Sequence, residues 1–150
     1  MSVYEKLTEL QISLPPVTPP VASFLPFVQT GNLIFVSGHI AKRDGHPWSG
    51  KVGDEISLPM AREAARGIAI DLLGTLHGAT GDLNKIKRIV KLMVMVNGSS
   101  TFTEPHLVAN GASDLLIEIF GDHGRHARTA ICVAQTPFGS CVELDLIAEV

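Results

Sequence analysis

The stretch Leu33–Ile40, LIFVSGHI, is apolar at almost every position. A strand with one wet face alternates apolar and polar residues. A near-continuous apolar run belongs to a strand covered on both faces. Elsewhere the chain holds two substantial helical patterns, enough to cover one face of a sheet. The other face then needs cover from outside the chain, and a second copy is the nearest source. The sequence therefore predicts an oligomer of identical chains built on a sheet that one chain covers by half.

The remaining elements follow from periodicity and punctuation. Val3, Leu7 and Leu10 are spaced for a short helix, which LPPVTPP must stop because proline removes the amide donor. Residues 1–20 read as an N-terminal helix and an extended Pro-rich connector, within a single domain over residues 1–150. QTGN separates two β-rich runs, with Gly31 and Asn32 supplying the turn. KRDGHPWSGKVGDE is polar and turn-rich and is expected to be a surface loop.

Ser57 can cap a helix with Pro59 in its first turn. Ala61, Ala65, Ile68, Leu72 and Leu76 form its apolar stripe, and Gly78 is expected to end it. IKRIVKLMVMVNG reads as a long strand. Thr103, Glu104 and Pro105 open a further helix with an apolar face at Val108, Ala112, Leu115, Leu116 and Ile119, broken by Gly121 and Gly124. Two strands close the chain, read as a hairpin. The order is short helix, two strands, helix, strand, helix, two strands. This is an α+β architecture, a mixed sheet with two helices on one face.

Charge and composition exclude several classes. The formal net charge is −3, and the Lys and Arg residues form no basic stripe, so nucleic acid is not an expected partner. Lys85, Lys87, Arg88 and Lys91 lie close together and read as a solvated strand entrance. No stretch approaches the roughly 18 apolar residues of a membrane span. The N-terminus lacks the pattern of a signal peptide. Cys132 and Cys141 form no CxxC motif and read as buried thiols. A cytoplasmic protein is expected, with no membrane partner.

The terminal stretch HARTAICVAQTPFGSCVELDLIAEV carries two unexpected charges, Arg128 and Glu143, fifteen positions apart. Alternation puts Arg128, Ala130, Cys132 and Ala134 on one face of the first strand. Cys141, Glu143 and Asp145 share a face of the second. These small and polar faces read as ligand-facing. The bulky faces, Thr129, Ile131 and Val133 with Val142, Leu144 and Leu146, read as packed on the helices. With a hairpin turning near Pro137, Arg128 lies opposite residue 146. Glu143 would then meet it only diagonally or across a subunit boundary.

A planar guanidinium fork suits a substrate carboxylate, and a glutamate suits a general base acting on water. A rim salt bridge is the competing reading of both residues, and such pairs contribute little. His46, His77, His106, His123 and His126 fall in loops or near helix ends and read as solvated or capping residues. His39, after Ser37 and Gly38, is placed to face a cleft. No His or Cys spacing suggests a metal site.

These residues resemble a known family. ARTAICVA, TPFG and VELDLIAEV are similar to the terminal motifs of the reactive-intermediate deaminases, the Rid or YjgF-type proteins, with the same Arg-to-Glu spacing. TGNLIFVSGHI, VKLMVMV and VANGASDLLIEIFG match further family segments in order, so the resemblance runs from about Phe27 to Val150. It implies a chorismate-mutase-like protomer in a homotrimer with clefts between subunits. It implies hydrolysis of reactive enamines and imines, such as 2-aminoacrylate and its imine, to 2-keto acids and ammonia, without metal or organic cofactor. The partner would be a small carboxylate-bearing imine or keto acid.

Residue by residue, Arg128 matches the carboxylate clamp and Glu143 the acid that positions water. Ser37 and Gly38 match a pocket-lining stretch, and Asn110 matches a helix asparagine at one residue greater distance from the arginine. Phe27 stands where the family often has tyrosine, His39 where it often has glutamine, and Ala130 where it often has cysteine. With KRDGHPWSG and the N-terminal extension, these departures look like a longer subgroup. A trimer that binds small carboxylates without turnover is the rival reading. Ribonuclease, a label the family often carries, ranks below both because the chain is acidic and poor in aromatic residues for base stacking.

Overall fold

The computed structural model describes every residue except Thr18, Pro19 and Val21, so part of the Pro-rich connector lies outside the described residues. A five-stranded mixed sheet carries the fold, with strand order β1-β2-β7-β5-β6. The strands are β1 (Phe27–Thr30), β2 (Leu33–Ile40), β5 (Arg88–Val96), β6 (Ala127–Cys132) and β7 (Val142–Glu149). A small hairpin, β3 (Lys42–Arg43) with β4 (His46–Pro47), stands apart. The helices are α1 (Val3–Glu9), α2 (Leu58–Thr80) and α3 (Pro105–Phe120).

Local chemistry explains the boundaries. Ser2 and Glu5 form a capping box on α1, and Oγ of Ser57 accepts from the Met60 amide at the head of α2. Helix α2 runs past Gly78, contrary to expectation, and ends at Gly81, which takes the left-handed conformation at φ 72°. Gly78 serves packing instead: a side chain there would collide with Val17 of the connector, and one at Gly74 would collide with the Pro15 carbonyl. The connector thus lies in a glycine-lined groove of α2.

Helix α2 packs on β2 and β7, and α3 on β5 and β6. The expected stripe of α2, Ala61 to Leu76, is buried, as are Val108, Ala112, Leu115, Leu116 and Ile119 of α3. They meet Leu92, Val94 and Val96 of β5 and Leu144, Leu146 and Ala148 of β7. The two helices cross closely at Gly111, where a side chain would strike the Arg62 carbonyl.

Two expectations are overturned here. The last two strands are not a hairpin: β5 lies between them, parallel to β6 and antiparallel to β7. Residues 133–141 form a crossover rather than a tight turn, with Lys51 Nζ donating to the Ala134 carbonyl. The segment KRDGHPWSGKVGDE is not simply a surface loop either. It contains the β3–β4 hairpin, and Trp48, Val52 and the following Ile56 are buried. Asn97, itself buried, ties this segment down by donating to the carbonyls of Gly50 and Gly139 and accepting from Lys51 Nζ.

The face of the sheet away from the helices is uncovered in the single chain. Val28, Phe35 and Ile131 are exposed there at 52%, 41% and 43%. Met93, Met95 and Ile147 lie beside them by register.

Candidate functional site

Arg128 sits on β6, in register with Leu92 of β5, which in turn pairs with Leu146 of β7. In-register neighbours share a face, so Arg128 is on the helix side of the sheet. Ala130 and Cys132 follow it there, and Thr129 and Ile131 point to the uncovered side. This reverses the assignment of β6 faces expected from alternation alone. The small residues at 130 and 132 leave room for α3, which lies over this edge strand.

The guanidinium is held by α3. Nη1 donates to Oδ1 of Asn110 at 2.8 Å and to Oγ of Ser113 at 3.1 Å, and Nη2 donates to the His106 carbonyl at 3.1 Å. Three of the five N–H bonds are so used. Among the described residues nothing accepts from Nε–H or from the second Nη2–H. Arg128 lines a cavity of about 270 Å³ together with Asn110, Asp114, Arg125 and His126 among others. A guanidinium held on one side with two donors to spare has the geometry to receive a planar anion.

Sequence reasoning missed Ser113 and misread His126. Ser113 is buried in α3, and its Oγ lies 2.9 Å from Nε2 of His126. Nδ1 of His126 is 2.6 Å from the Gly124 carbonyl, so it carries the ring proton and Nε2 accepts. Burial holds the imidazole below its ordinary pKa, opposed by the hydrogen bond to the Gly124 carbonyl and aided by the charge of Arg128. His126 is therefore a half-buried neutral partner rather than a solvated or capping residue. The two residues are thirteen positions apart, across the end of α3, so no local spacing announces them.

Glu143 lies on β7 between Ile40 of β2 and Met95 of β5, on the uncovered face of the sheet. The register of β2 slips between Val36 and His39, leaving Ser37 and Gly38 in a bulge beside this carboxylate. Oε1 of Glu143 would be 3.0 Å from a Cβ at position 38. Burial, then the nearby Asp145, raise the pKa of Glu143 above 4.5. No side chain among the described residues is hydrogen-bonded to it.

Ser37, Gly38 and His39 line a second cavity of about 270 Å³, with Phe24 and Phe138 on its apolar wall. His39 itself is on the helix side, with Nε2 3.5 Å from Oγ1 of Thr75 in α2. Burial, then Lys42, lower its pKa. Ser37 Oγ donates to the Leu25 carbonyl at 2.5 Å. Phe27 opens β1 opposite Val36 and packs against the core.

The expected site residues thus fall into two groups. Arg128, Asn110 and Ala130 gather under α3; Glu143, Ser37, Gly38, His39 and Phe27 gather around the β2 bulge. Strand β5 separates them, and Arg128 and Glu143 face opposite ways. Their backbones are roughly 14 Å apart, from two strand spacings and three residues of rise.

Both cysteines are free, and burial raises their pKa values, that of Cys141 to about 11. Among the described residues no three His, Cys, Asp or Glu are grouped to hold a metal ion. No helix among them is long and apolar enough to cross a membrane.

The chain is similar to known proteins over nearly its whole length. It is 42% identical over 149 residues to Protein TCP17 of Trypanosoma cruzi, covering 98% of this chain and 93% of that protein. The crystal structure of Atu1372 from Agrobacterium tumefaciens, described as of unknown function, superposes with a TM-score of 0.90 at 38% identity, covering 99% of this chain and 93% of that one. A "putative endoribonuclease" from Shewanella oneidensis MR-1 superposes with a TM-score of 0.95 at 28% identity over all of both chains. The similarity includes the N-terminal helix and connector, which lie before the stretch from about Phe27 to Val150 covered by the sequence motifs. Residues 5–150 match the family described as "YjgF/chorismate mutase-like, putative endoribonuclease", and the chain belongs to that family.

Proposed function

We propose that the protein hydrolyses small carboxylate-bearing enamines and imines to 2-keto acids and ammonia. It does so as a homotrimer whose sites are shared between copies. The observation that carries this reading is the guanidinium of Arg128, fixed by Asn110, Ser113 and the His106 carbonyl with two N–H donors left over. Arg128 binds the substrate carboxylate. Glu143 of a neighbouring copy serves the same substrate, because within one chain the two side chains stand on opposite faces of the sheet. The exposed Val28, Phe35 and Ile131 on the uncovered face give the copies an apolar surface on which to meet.

The reaction asks little of such a site. Glu143 accepts a proton from water as the water oxygen bonds to the imine carbon, and the C=N pair of electrons moves to nitrogen. The nitrogen takes up the proton. The hydroxyl proton of the resulting carbinolamine then passes to its amino group as the C–N bond breaks, releasing ammonia and leaving the keto group. One water is consumed and no electrons are exchanged. Holding the carboxylate and aiming the water supply most of the rate through orientation. The raised pKa of Glu143 makes it a stronger base than an exposed glutamate.

The test is keto-acid release from enzymatically generated imines of several amino acids, wild type beside Arg128→Ala, with an RNA-cleavage assay in parallel. Acceleration that disappears in the variant supports the reading and ranks the substrates. No acceleration with any imine overturns it, and retained pyruvate binding would then leave a binding-only trimer.

A further inference from the structure

We infer that Ser113 and His126 form a relay that positions Arg128, a role that rests on the anion-clamp reading of that residue. The relay is a chain of three hydrogen bonds with fixed directions. The Gly124 carbonyl accepts from Nδ1–H of His126 at 2.6 Å. Nε2 of His126, left without a proton, accepts from the Ser113 hydroxyl at 2.9 Å. The Ser113 oxygen, its proton committed, accepts from Nη1 of Arg128 at 3.1 Å.

Each link fixes the next. A serine hydroxyl beside a guanidinium can rotate and offer its proton to any acceptor. Here the imidazole takes that proton, so the serine lone pairs face the arginine. Ser113 is only 7% exposed, which leaves water little access to compete. Asn110 holds the other Nη1 hydrogen from one turn earlier on α3. Both hydrogens of Nη1 are therefore occupied, and rotation about the Cζ–Nη1 bond is blocked. That leaves Nε–H and the second Nη2–H without an acceptor among the described residues, on a side chain that lines the cavity. The imidazole comes from the segment that leads into β6, two residues before the arginine it serves, so its backbone position is tied to that of its client.

His126 is a positioning residue, because it acts through Ser113 and is not placed against the ligand. The chemistry distinguishes it from a packing residue: a side chain that presents an acceptor at the Nε2 position should replace it, and one that only fills the volume should not. Glutamine offers such an acceptor and leucine does not.

The experiment uses the full chain and two separate readouts. The first is the rotation rate of the Arg128 Nη groups by nitrogen-edited NMR on the ligand-free protein. Slow rotation in wild type, faster rotation in Ser113→Ala and His126→Leu, and recovery in His126→Gln are expected. The second is calorimetric binding of pyruvate, with Kd expected to rise about three- to tenfold in Ser113→Ala and His126→Leu, the size of one hydrogen bond. The double variant should bind no more weakly than either single one, since the residues act as a unit. Unchanged rotation in both folded single variants overturns the relay whatever the binding data show. Changed rotation with no pyruvate binding in wild type upholds the relay and overturns the anion-clamp reading.

Discussion

Arg128 and Glu143 stand on opposite faces of one sheet, with β5 between their strands. A sheet cannot be threaded by a small ligand, so no rotamer change brings the two groups together within a chain. A site using both takes each from a different copy. Mixing Arg128→Ala protein with Glu143→Gln protein should then restore activity that neither has alone. With random exchange, half the sites receive an intact arginine and half an intact glutamate independently, so about a quarter of wild-type activity returns. Steady-state rates after verified subunit exchange check this; no recovery would place both groups of the working site in one copy.

The donors left on Arg128 predict a graded loss. Arg128→Ala should weaken pyruvate binding about ten- to hundred-fold, the usual worth of a charge-assisted hydrogen bond. Arg128→Lys retains charge but cannot satisfy Asn110, Ser113 and the His106 carbonyl while presenting a fork to the ligand. Its affinity should fall between those of the wild type and the alanine variant. Isothermal titration with all three proteins measures the order, and a lysine variant equal to wild type would argue for a point charge instead of a fork.

Glu143 should make its environment visible in pH dependence. Burial, then Asp145, raise its pKa above 4.5, so the fold favours the protonated form. Its contribution to stability is present below the unfolded pKa and is lost as pH rises through the folded one. Glu143→Gln should therefore raise Tm at neutral pH and give no gain well below pH 4.5. Thermal melts across that range test the sign. In the same window, the acid limb of kcat/KM in the wild type should titrate above 4.5, since water activation needs the carboxylate.

Periodicity made most of the fold legible. The stripe from Ala61 to Leu76 and the apolar face of α3 needed only a 3.6-residue repeat, and both are buried as read. The level of Arg128 with residue 146 was also right, but through Leu92 of an intervening strand. Alternation shows which residues share a face and not which strand lies beside which. The hairpin reading therefore failed, and with it the assignment of Arg128 to the open face. Trp48, Val52 and Ile56 were hidden because single apolar residues in a Gly-rich segment have no period. The residues around Arg128 divide the same way. Asn110 was found through family motifs, whereas Ser113 and His126 meet only because α3 ends in a turn that doubles the chain back.

The crossing of α2 and α3 should be intolerant of even one methyl group. At Gly111 a Cβ would strike the Arg62 carbonyl, a backbone atom of the facing helix that also sits in a regular hydrogen-bond ladder. Relief requires the two helices to separate, and both pack on the sheet. Gly111→Ala should cost about 1–3 kcal/mol despite the better helix propensity of alanine. Urea denaturation at constant m-value would register it as a lower midpoint, and a neutral result would mean the helices slide apart freely.

Gly38 poses the opposite case, in which a methyl group should disturb chemistry and spare stability. Its backbone is not in the left-handed region, and the atom a Cβ would press on is the end of the Glu143 side chain, at 3.0 Å from Oε1. A half-exposed carboxylate can swing away at little energetic cost, so the fold should tolerate Gly38→Ala with Tm nearly unchanged. The swing, however, displaces the group proposed to aim water at the imine carbon. Misplacement of a catalytic group by a fraction of an ångström is expected to lower kcat about tenfold while leaving the affinity for pyruvate, assigned to Arg128 in the proposed function, at the wild-type value. Single-turnover rates and pyruvate titrations on the same preparation separate the two effects. Loss of both together would tie Gly38 to the carboxylate clamp instead of to Glu143.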